Sequence, residues 1–260
     1  MAPQPETVLV TGASSGIGLE LATLFARDRA RLVLVARDER RLEALARGLE
    51  ERQQVTVHVL PFDLSRSDAP ARIDAALRER ALQVDVLVNN AGFGERGPVA
   101  ALDLERQLQM VQVNLTAVTH LTRLLLPGLI ERRRGGVLNV ASTAAFQPGP
   151  NMAVYYATKA YVLSFSEALS EELAGTGVTV TCLAPGPTST EFARRANMLG
   201  TRLFSRGTPM SAARAALAGY DGFRSGKVLV IPGFSNRLGT FAVRLAPRAF
   251  VRKLVAGLNA

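Results

Sequence analysis

The sequence predicts an α/β protein: a single domain built on a doubly wound parallel sheet of about seven strands, with helices on both faces. Two patterns support this fold class. Short runs rich in Val, Ile and Leu alternate with longer amphipathic stretches, the order expected of βαβ units. Most of these runs are apolar at nearly every position, as in strands that are covered on both faces. A chain of 260 residues is also long enough to bury one such core.

Seven strands are predicted from the apolar runs, at residues 7–11, 31–36, 55–60, 84–89, 136–142, 178–183 and 227–231. The helices between them are predicted from apolar residues at helical spacing, for example Leu115, Val118, Leu121 and Leu125. Residues 185–206 show neither the apolar spacing of a helix nor that of a strand, and they contain two prolines. We therefore expect a loop with a short helix. Because this loop leaves the carboxyl end of a strand, it lies where open parallel sheets bind their ligands.

Charge and composition exclude several classes of function. The formal net charge is +9, but the last acidic residue is Asp221 and most of the excess follows it. No basic stripe interleaved with aromatic residues accompanies this charge, so nucleic acid is not predicted as a partner. His58 and His120 are isolated from Cys and from carboxylate clusters, so no metal site is predicted.

A cytoplasmic location is predicted from three features. Cys182 is the only cysteine and lies in an apolar run, which excludes an internal disulfide and fits a reducing compartment. Residues 1–6 lack the charged and then apolar pattern of a signal peptide. No apolar stretch is expected to reach the roughly 18 residues that a membrane-spanning helix requires.

A glycine-rich segment joins the first predicted strand to the first predicted helix. Its sequence is Thr11-Gly12-Ala13-Ser14-Ser15-Gly16-Ile17-Gly18. Backbone N–H groups and the positive end of a helix dipole meet there, an arrangement that favours a pyrophosphate. A Cβ at the glycine positions would block the approach of such a ligand. A simple strand-to-helix turn is the alternative, but the position directly after the first strand favours the binding interpretation.

Tyr155 and Lys159 lie four residues apart and therefore share one face of a predicted helix. A phenol that acts as acid or base at a carbonyl must exchange its proton near neutral pH. Lowering its pKa from about 10 to about 7 requires roughly 4 kcal/mol of preferential phenolate stabilisation, which a fixed ammonium one turn away can supply. An ordinary surface pair explains the same two residues equally well when they are considered alone.

Together these patterns resemble the short-chain dehydrogenase/reductase family, from about Thr7 to Gly233. The glycine-rich segment is similar to the family's TGxxxGxG, residues 89–92 to its NNAG, residues 155–159 to its YxxxK, and residues 185–186 to its PG after the sixth strand. Ser142 precedes Tyr155 by the family's usual interval, and Asn114 stands where the family has a structural and catalytic Asn. The resemblance implies a Rossmann-like fold and hydride transfer between a nicotinamide and a carbonyl or alcohol.

The resemblance also implies a role for each catalytic position. Tyr155 would protonate a carbonyl oxygen or take the proton of an alcohol, and Ser142 would hydrogen-bond that oxygen. Lys159 would hold the nicotinamide ribose and lower the pKa of Tyr155. Asn114 would help to position a water that relays protons to Lys159. Tyr156 does not match the family's spacing and is interpreted as a packing or pocket-lining residue.

The cofactor implied by the resemblance is NADP(H) in preference to NAD(H). Ala36 replaces the acidic residue that would bind a ribose 2′-hydroxyl, and Arg37 offers a guanidinium suited to a 2′-phosphate. Ser15 stands where that branch often has Arg or Lys, and Asp38 is an alternative ribose ligand. The implied cofactor contacts are Gly12, Ser14, Ser15, Gly16, Ile17, Gly18, Arg37, Asp63, Leu64, Asn90, Ala91, Gly92, Tyr155, Lys159, Pro185, Gly186, Thr188 and Thr190.

The substrate is predicted only as a class. Residues 187–206 are expected to form a substrate loop, and its apolar side chains suggest an apolar or acyl carbonyl compound or alcohol. These side chains are Phe192, Met198, Leu199, Leu203 and Phe204. The family resemblance further implies a homodimer or homotetramer formed through the helices at 115–134 and 155–174. A regulator that binds NADP(H) without turnover is the alternative function.

A basic C-terminal extension is predicted at residues 236–260. Arg244, Arg248 and Arg252 recur every four residues with apolar residues between them. Basic amphipathic helices of this kind lie on anionic lipid or meet an acidic partner. Pro247 interrupts a single helix, and we prefer the alternative that the segment packs over the substrate cleft or a subunit contact, with its Arg side chains solvated.

Overall fold

A computed structural model of the chain describes residues 5–196, 201 and 209–259. Seven of its strands form one parallel sheet in the order β3-β2-β1-β4-β5-β6-β9, and β7 pairs with β8 apart from that sheet. The strands are β1 Thr7–Thr11, β2 Arg31–Ala36, β3 Val57–Pro61, β4 Val86–Asn89, β5 Gly136–Val140, β6 Thr179–Leu183, β7 Thr188–Ser189, β8 Met210–Ser211 and β9 Leu229–Val230. The predicted fold class is confirmed.

Helices cover both faces of the sheet. They are α1 Gly16–Arg27, α2 Glu39–Gln53, α3 Ala69–Glu79, α4 Leu104–Val111, α5 Ala117–Arg132, α6 Ala153–Glu172, α7 Glu191–Arg195, α8 Ala212–Arg224, α9 Phe234–Leu245 and α10 Arg248–Leu258. A π-helical turn, Gln112–Thr116, joins α4 to α5, and a 3-10 turn, Thr143–Phe146, follows β5.

Strand β1 shows why the apolar runs are continuous. Side chains alternate between the faces of a strand, and Val8 and Val10 pack with α1, α2 and α8 on one side of the sheet. Leu9 packs with α3, α5 and α6 on the other side. Because both faces are covered, every position of the strand lies in the core.

Two strands are shorter than predicted. Strand β4 begins at Val86, and the carboxylate of the preceding Asp85 accepts the N–H of Thr7 at 3.0 Å. Strand β5 ends at Val140, and the hydroxyl of Ser142 caps the following turn by accepting the N–H of Ala144 at 3.1 Å. The predicted loop at 185–206 contains β7 and α7 in its described part. Met198, Leu199, Leu203 and Phe204 lie outside the described residues.

We expected no stretch that is long and apolar enough to span a membrane, but one helical run meets this criterion. Leu104–Arg132 is long and apolar enough to cross a membrane by length and composition. A single helix of this kind is a weak sign of a membrane span, because core helices meet the same criterion. Leu121 and Leu129 of this run are buried in the core.

Candidate active site

A cavity of about 460 Å³ lies at the carboxyl ends of β1, β2, β4, β5 and β6. Open parallel sheets bind ligands at this edge. Every residue predicted as catalytic or cofactor-binding lines the cavity, with the exceptions of Gly18 and Asn114. The structure therefore brings together side chains from the glycine-rich segment, the strand ends and α6.

The glycine-rich segment turns sharply beside the amino end of α1. Gly12 and Gly16 have φ values of +65° and +58°, a backbone region in which a Cβ is strained. A Cβ on Gly12 would also lie 2.9 Å from the Cα of Ala91, and a Cβ on Gly18 would overlap the carbonyl group of Gly12. Gly18 thus allows α1 to pack closely on the glycine-rich loop, and its position between helix and loop explains why it does not line the cavity.

Thr11 and Asn90 fasten this loop to the end of β4. The Thr11 hydroxyl accepts the N–H groups of Asn90 and Ala91 at 3.0 and 3.1 Å, and it donates to the carbonyl of Val88. The side-chain amide of Asn90 donates to the carbonyls of Thr11 and Gly12, at 2.9 and 3.2 Å. These bonds hold two neighbouring walls of the cavity in one arrangement.

Tyr155 and Lys159 lie on the first turns of α6, and both are buried. Ser142, which follows β5, lines the cavity with them and is close enough to the Tyr155 hydroxyl to lower its pKa. The Lys159 ammonium donates to the carbonyl of Val140 at 2.8 Å and lies 5.9 Å from the centre of the Tyr155 ring. The three predicted side chains therefore meet on one wall of the cavity.

Burial controls the ionisation of both groups. Desolvation raises the pKa of Tyr155, and the neighbouring Ser142 opposes that rise only in part. Desolvation lowers the pKa of Lys159 to about 8. Burial therefore dominates at the phenol of the cofactor-free protein, in which the Lys159 ammonium donates to Val140. The expectation that Lys159 lowers the pKa of Tyr155 beside a bound nicotinamide stays a prediction.

Asn114 lies in the π-helical turn behind the cavity wall. Its side-chain oxygen accepts the N–H of Phe93 at 3.0 Å. Its amide donates to the carbonyl of Phe93 and to the hydroxyl of Thr158, at 2.8 and 3.1 Å. These contacts position the segment after β4 against α6, and the predicted water relay stays a prediction.

Arg41 and Glu191 are site residues that the sequence analysis missed. Both line the cavity, and the Arg41 guanidinium donates to the two Glu191 carboxylate oxygens at 2.9 and 3.0 Å. The backbone N–H of Arg41 also binds the carboxylate of Asp38, the N-cap of α2. This ion pair joins α2 to α7 across 150 residues of sequence, and no local pattern signals it.

The C-terminal segment supplies a further wall of the cavity. Val255 and Leu258 of α10 line the cavity. The side chain of Asn259 is buried; it accepts from the Tyr156 hydroxyl at 3.2 Å and donates to the Pro150 carbonyl at 2.9 Å. The segment thus packs over the cleft, which is the arrangement that we preferred from the sequence.

Comparisons with known proteins agree with this arrangement. Residues 6–198 match the short chain dehydrogenase family model. A sulfoacetaldehyde reductase from Chromohalobacter salexigens is 42% identical over 190 residues, which are 72% of this chain and 74% of that protein. The segments matched in such curated relatives span 61% to 80% of their lengths.

Solved structures extend the similarity to almost the whole chain. A short-chain dehydrogenase from Sphingobium yanoikuyae in complex with NADPH has a TM-score of 0.83 and 35% identity, covering 92% of this chain and 93% of that one. A bulky-bulky ketone specific alcohol dehydrogenase from Comamonas testosteroni has a TM-score of 0.78 and 32% identity, covering 94% of each chain. The chain belongs to the short-chain dehydrogenase/reductase family and is an oxidoreductase that acts on alcohol or carbonyl groups.

Proposed function

We propose that the protein is an NADP(H)-dependent reductase of a carbonyl substrate, or the dehydrogenase of the corresponding alcohol. One observation carries the proposal. Tyr155, Ser142 and Lys159 line the same cavity as the glycine-rich turn at the amino end of α1. An acid for a carbonyl oxygen and a cradle for a pyrophosphate therefore share one cleft.

The residues present fit a nicotinamide dinucleotide. Gly12 and Gly16 allow a tight turn with positive φ values, and this turn lines the cavity at the amino end of α1, where backbone N–H groups favour a pyrophosphate. Ala91 and Gly92 line the cavity between this turn and Lys159. The buried Lys159 ammonium would hold the ribose hydroxyls, and Thr188 and Thr190 would hold the carboxamide.

The chain's own residues would handle the proton. When bound, the nicotinamide supplies the hydride for the carbonyl carbon in reduction or accepts it from the alcohol carbon in oxidation. Tyr155 donates its hydroxyl proton to the carbonyl oxygen in reduction and takes it back in oxidation. Ser142 donates a hydrogen bond to that oxygen and orients it. Because burial raises the pKa of Tyr155, the phenol is protonated at neutral pH, the form that reduction requires.

The preference for NADP(H) rests on the end of β2. Ala36 lines the cavity where an acidic side chain would repel a 2′-phosphate. Arg37 follows it, also lines the cavity, and lies 3.9 Å from Asp63, too far for a strong ion pair. Its guanidinium is therefore free to bind a phosphate. The NADPH in the Sphingobium yanoikuyae structure supports this choice.

An apolar substrate fits the far end of the cavity. Phe93, Tyr156, Phe192, Val255 and Leu258 line it there. Phe192 packs on the ring of Tyr155, with 5.2 Å between the ring centres, so apolar surface reaches the reacting hydroxyl. The alcohol dehydrogenase from Comamonas testosteroni is specific for bulky-bulky ketones, and this is consistent with the proposed substrate class. A cytoplasmic homodimer or homotetramer formed through α5 and α6 belongs to the same proposal.

The experiment is a panel of apolar and acyl ketones and aldehydes, followed by NADPH absorbance, with the wild type and Tyr155→Phe. We expect turnover by the wild type, a loss of at least about a thousandfold in kcat for the variant, and unchanged NADPH binding. Tyr161→Phe is the matched control, because the Tyr161 hydroxyl bonds Thr119 at 2.8 Å and does not line the cavity. NADPH binding without turnover of any compound would favour a regulator instead.

A further inference from the structure

The two C-terminal helices expose an unusual share of apolar side chains. Twelve large hydrophobic residues are exposed in the described part of the chain, and six of them lie within residues 234–254. These six are Phe234, Leu238, Phe241, Leu245, Phe250 and Leu254. Single exposed apolar residues need no explanation, but a concentration of this kind marks an interaction surface.

In α9 the exposed apolar residues form one stripe. Phe234, Leu238, Phe241 and Leu245 recur at intervals of four, three and four residues, the spacing of a single helix face. Phe234 is 80% exposed and Leu245 is 75% exposed. Val243, half a turn away, packs against the cluster that contains Tyr155 and Tyr156. The stripe therefore points away from the protein and is not the helix face that packs on the core.

The next helix, α10, also has a buried apolar face and an exposed apolar face, and the two are adjacent. Val251 and Val255 are buried against the same cluster of tyrosines. Phe250 and Leu254, one residue earlier in each case, are exposed. Asn259 fixes the end of the helix through its bonds to Tyr156 and Pro150. A helix held in this way presents its outer residues as a fixed surface.

Positive charge accompanies the apolar stripe. The basic residues of α9 and α10 are all exposed, and no acidic residue lies in either helix. They are Arg237, Arg244, Arg248, Arg252 and Lys253. A symmetric contact with a second copy would bring these like charges together, which is unfavourable. An anionic surface is the complementary partner, and a lipid bilayer accepts apolar side chains and cations at once.

We propose that α9 and α10 form a docking surface for the face of an anionic lipid bilayer, with the stripe of α9 and with Phe250 and Leu254 inserted among the lipids and the basic residues at the headgroups. The inner face of α10 meanwhile forms a wall of the cavity. This surface is independent of the proposed carbonyl reduction, because vesicle binding needs neither cofactor nor turnover.

Co-sedimentation of the full-length protein with vesicles tests the proposal. The vesicles contain phosphatidylcholine alone or phosphatidylcholine with phosphatidylglycerol. We expect binding to the anionic vesicles that weakens as salt increases, and little binding to the neutral ones. Leu245→Gln should reduce the partition coefficient at least about fivefold, since one leucine no longer enters the bilayer interface. Arg244→Gln combined with Arg248→Gln should reduce it by a similar factor.

Leu217→Gln is the matched control, because Leu217 is exposed on α8, which packs with α1 in a different core cluster from α9 and α10, and the variant carries the same change. It should bind vesicles as the wild type does, and all variants should keep the wild-type circular dichroism and NADPH binding. The proposal is overturned if the wild type binds neither kind of vesicle, or if Leu245→Gln and Leu217→Gln bind equally. It is also overturned if Leu245→Gln abolishes a dimer of a protein that ignores vesicles, since a second copy would then cover the stripe.

Discussion

The Tyr156 hydroxyl donates a hydrogen bond of 3.2 Å to the side chain of Asn259, which lies 103 residues later in the chain. Tyr156 is the neighbour of Tyr155 on α6, and Asn259 ends the segment whose Val255 and Leu258 line the cavity. This bond therefore connects the helix that carries the proposed proton donor to a wall of the cavity.

Asn259→Ala should weaken that connection. It leaves the Tyr156 hydroxyl and the Pro150 carbonyl without their partner, so the free energy of unfolding should fall by about 2 kcal/mol. KM for bulky apolar substrates should rise more than kcat falls, since the chemistry at Tyr155 is untouched. Urea unfolding and steady-state kinetics measure both effects.

Tyr156→Phe is the control for this pair, because it removes one bond and keeps the ring. It should lower the free energy of unfolding by about 1 kcal/mol. The double variant should lower it by less than the sum of the two single variants. Strictly additive losses would show that the two side chains do not act together.

Gly18→Ala should damage the dinucleotide cradle although Gly18 does not line the cavity. The added Cβ would overlap the Gly12 carbonyl and the Asn90 side-chain amide. Forcing these groups apart should cost about 1–3 kcal/mol of stability and weaken NADPH binding at least about tenfold, because the loop no longer holds its turn. Calorimetric titration and thermal unfolding check the two effects.

Gly239→Ala provides the contrast. Gly239 lies inside α9, and an added Cβ would meet no atom of the described residues within 4 Å. This variant should be more stable by about 0.5–1 kcal/mol, as expected for Ala in place of Gly in an open helix position. NADPH affinity should not change. If Gly18→Ala behaved in the same way, the close packing assigned to Gly18 would be wrong.

Local patterns predicted the sheet and the catalytic helix, because their information lies in neighbouring residues. The alternation of apolar runs gave all seven strands of the main sheet, and the spacing of Tyr155 and Lys159 placed them on one helix face. The meeting of Ser142 with Tyr155 came from family resemblance, since nothing local joins a strand end to a helix. Burial raises the pKa of Tyr155 in the cofactor-free protein, and the burial of an individual hydroxyl cannot be read from sequence spacing.

Contacts between distant segments could not be predicted. Arg41 and Glu191 are ordinary charged residues in helical stretches until the fold brings them together at 2.9 Å. Asn259 is a polar residue near the chain's end, and only the packing of α10 shows that it is buried. Sequence spacing carries information over a few turns, whereas these pairs depend on the arrangement of whole layers.

Arg37→Gln should change the choice between the two nicotinamide cofactors. A guanidinium bound to a 2′-phosphate makes charge-assisted hydrogen bonds, so its loss should raise the dissociation constant for NADPH roughly 10- to 100-fold. NADH lacks that phosphate, and its dissociation constant should change less than about twofold. Fluorescence titration with each cofactor measures the two constants.

Arg40→Gln is the control for that change. Arg40 is exposed on α2 and does not line the cavity, so its loss lowers the local charge without removing a phosphate ligand. Both dissociation constants should stay near those of the wild type. An equal loss of NADPH and NADH affinity in Arg37→Gln would show that Arg37 does not recognise the 2′-phosphate.

Lys159 should make the stability of the cofactor-free protein depend on pH. Desolvation lowers its pKa from an ordinary value of 10.5 to about 8 in the folded protein. Between these two values the unfolded chain binds more protons than the folded protein, so the free energy of unfolding rises as pH increases through this window. Below pH 8 the folded protein bears the full cost of a buried ammonium.

Lys159→Met isolates this effect. Relative to the variant, the wild type should gain about 2 kcal/mol of stability between pH 7 and pH 9.5. Urea unfolding at both pH values measures the gain. The control is Lys253→Met, at an exposed lysine of α10, whose free energy of unfolding should change with pH as that of the wild type does. The absence of any gain would mean that the pKa of the ammonium in the folded protein is not below its ordinary value. Burial would then not be what controls its ionisation.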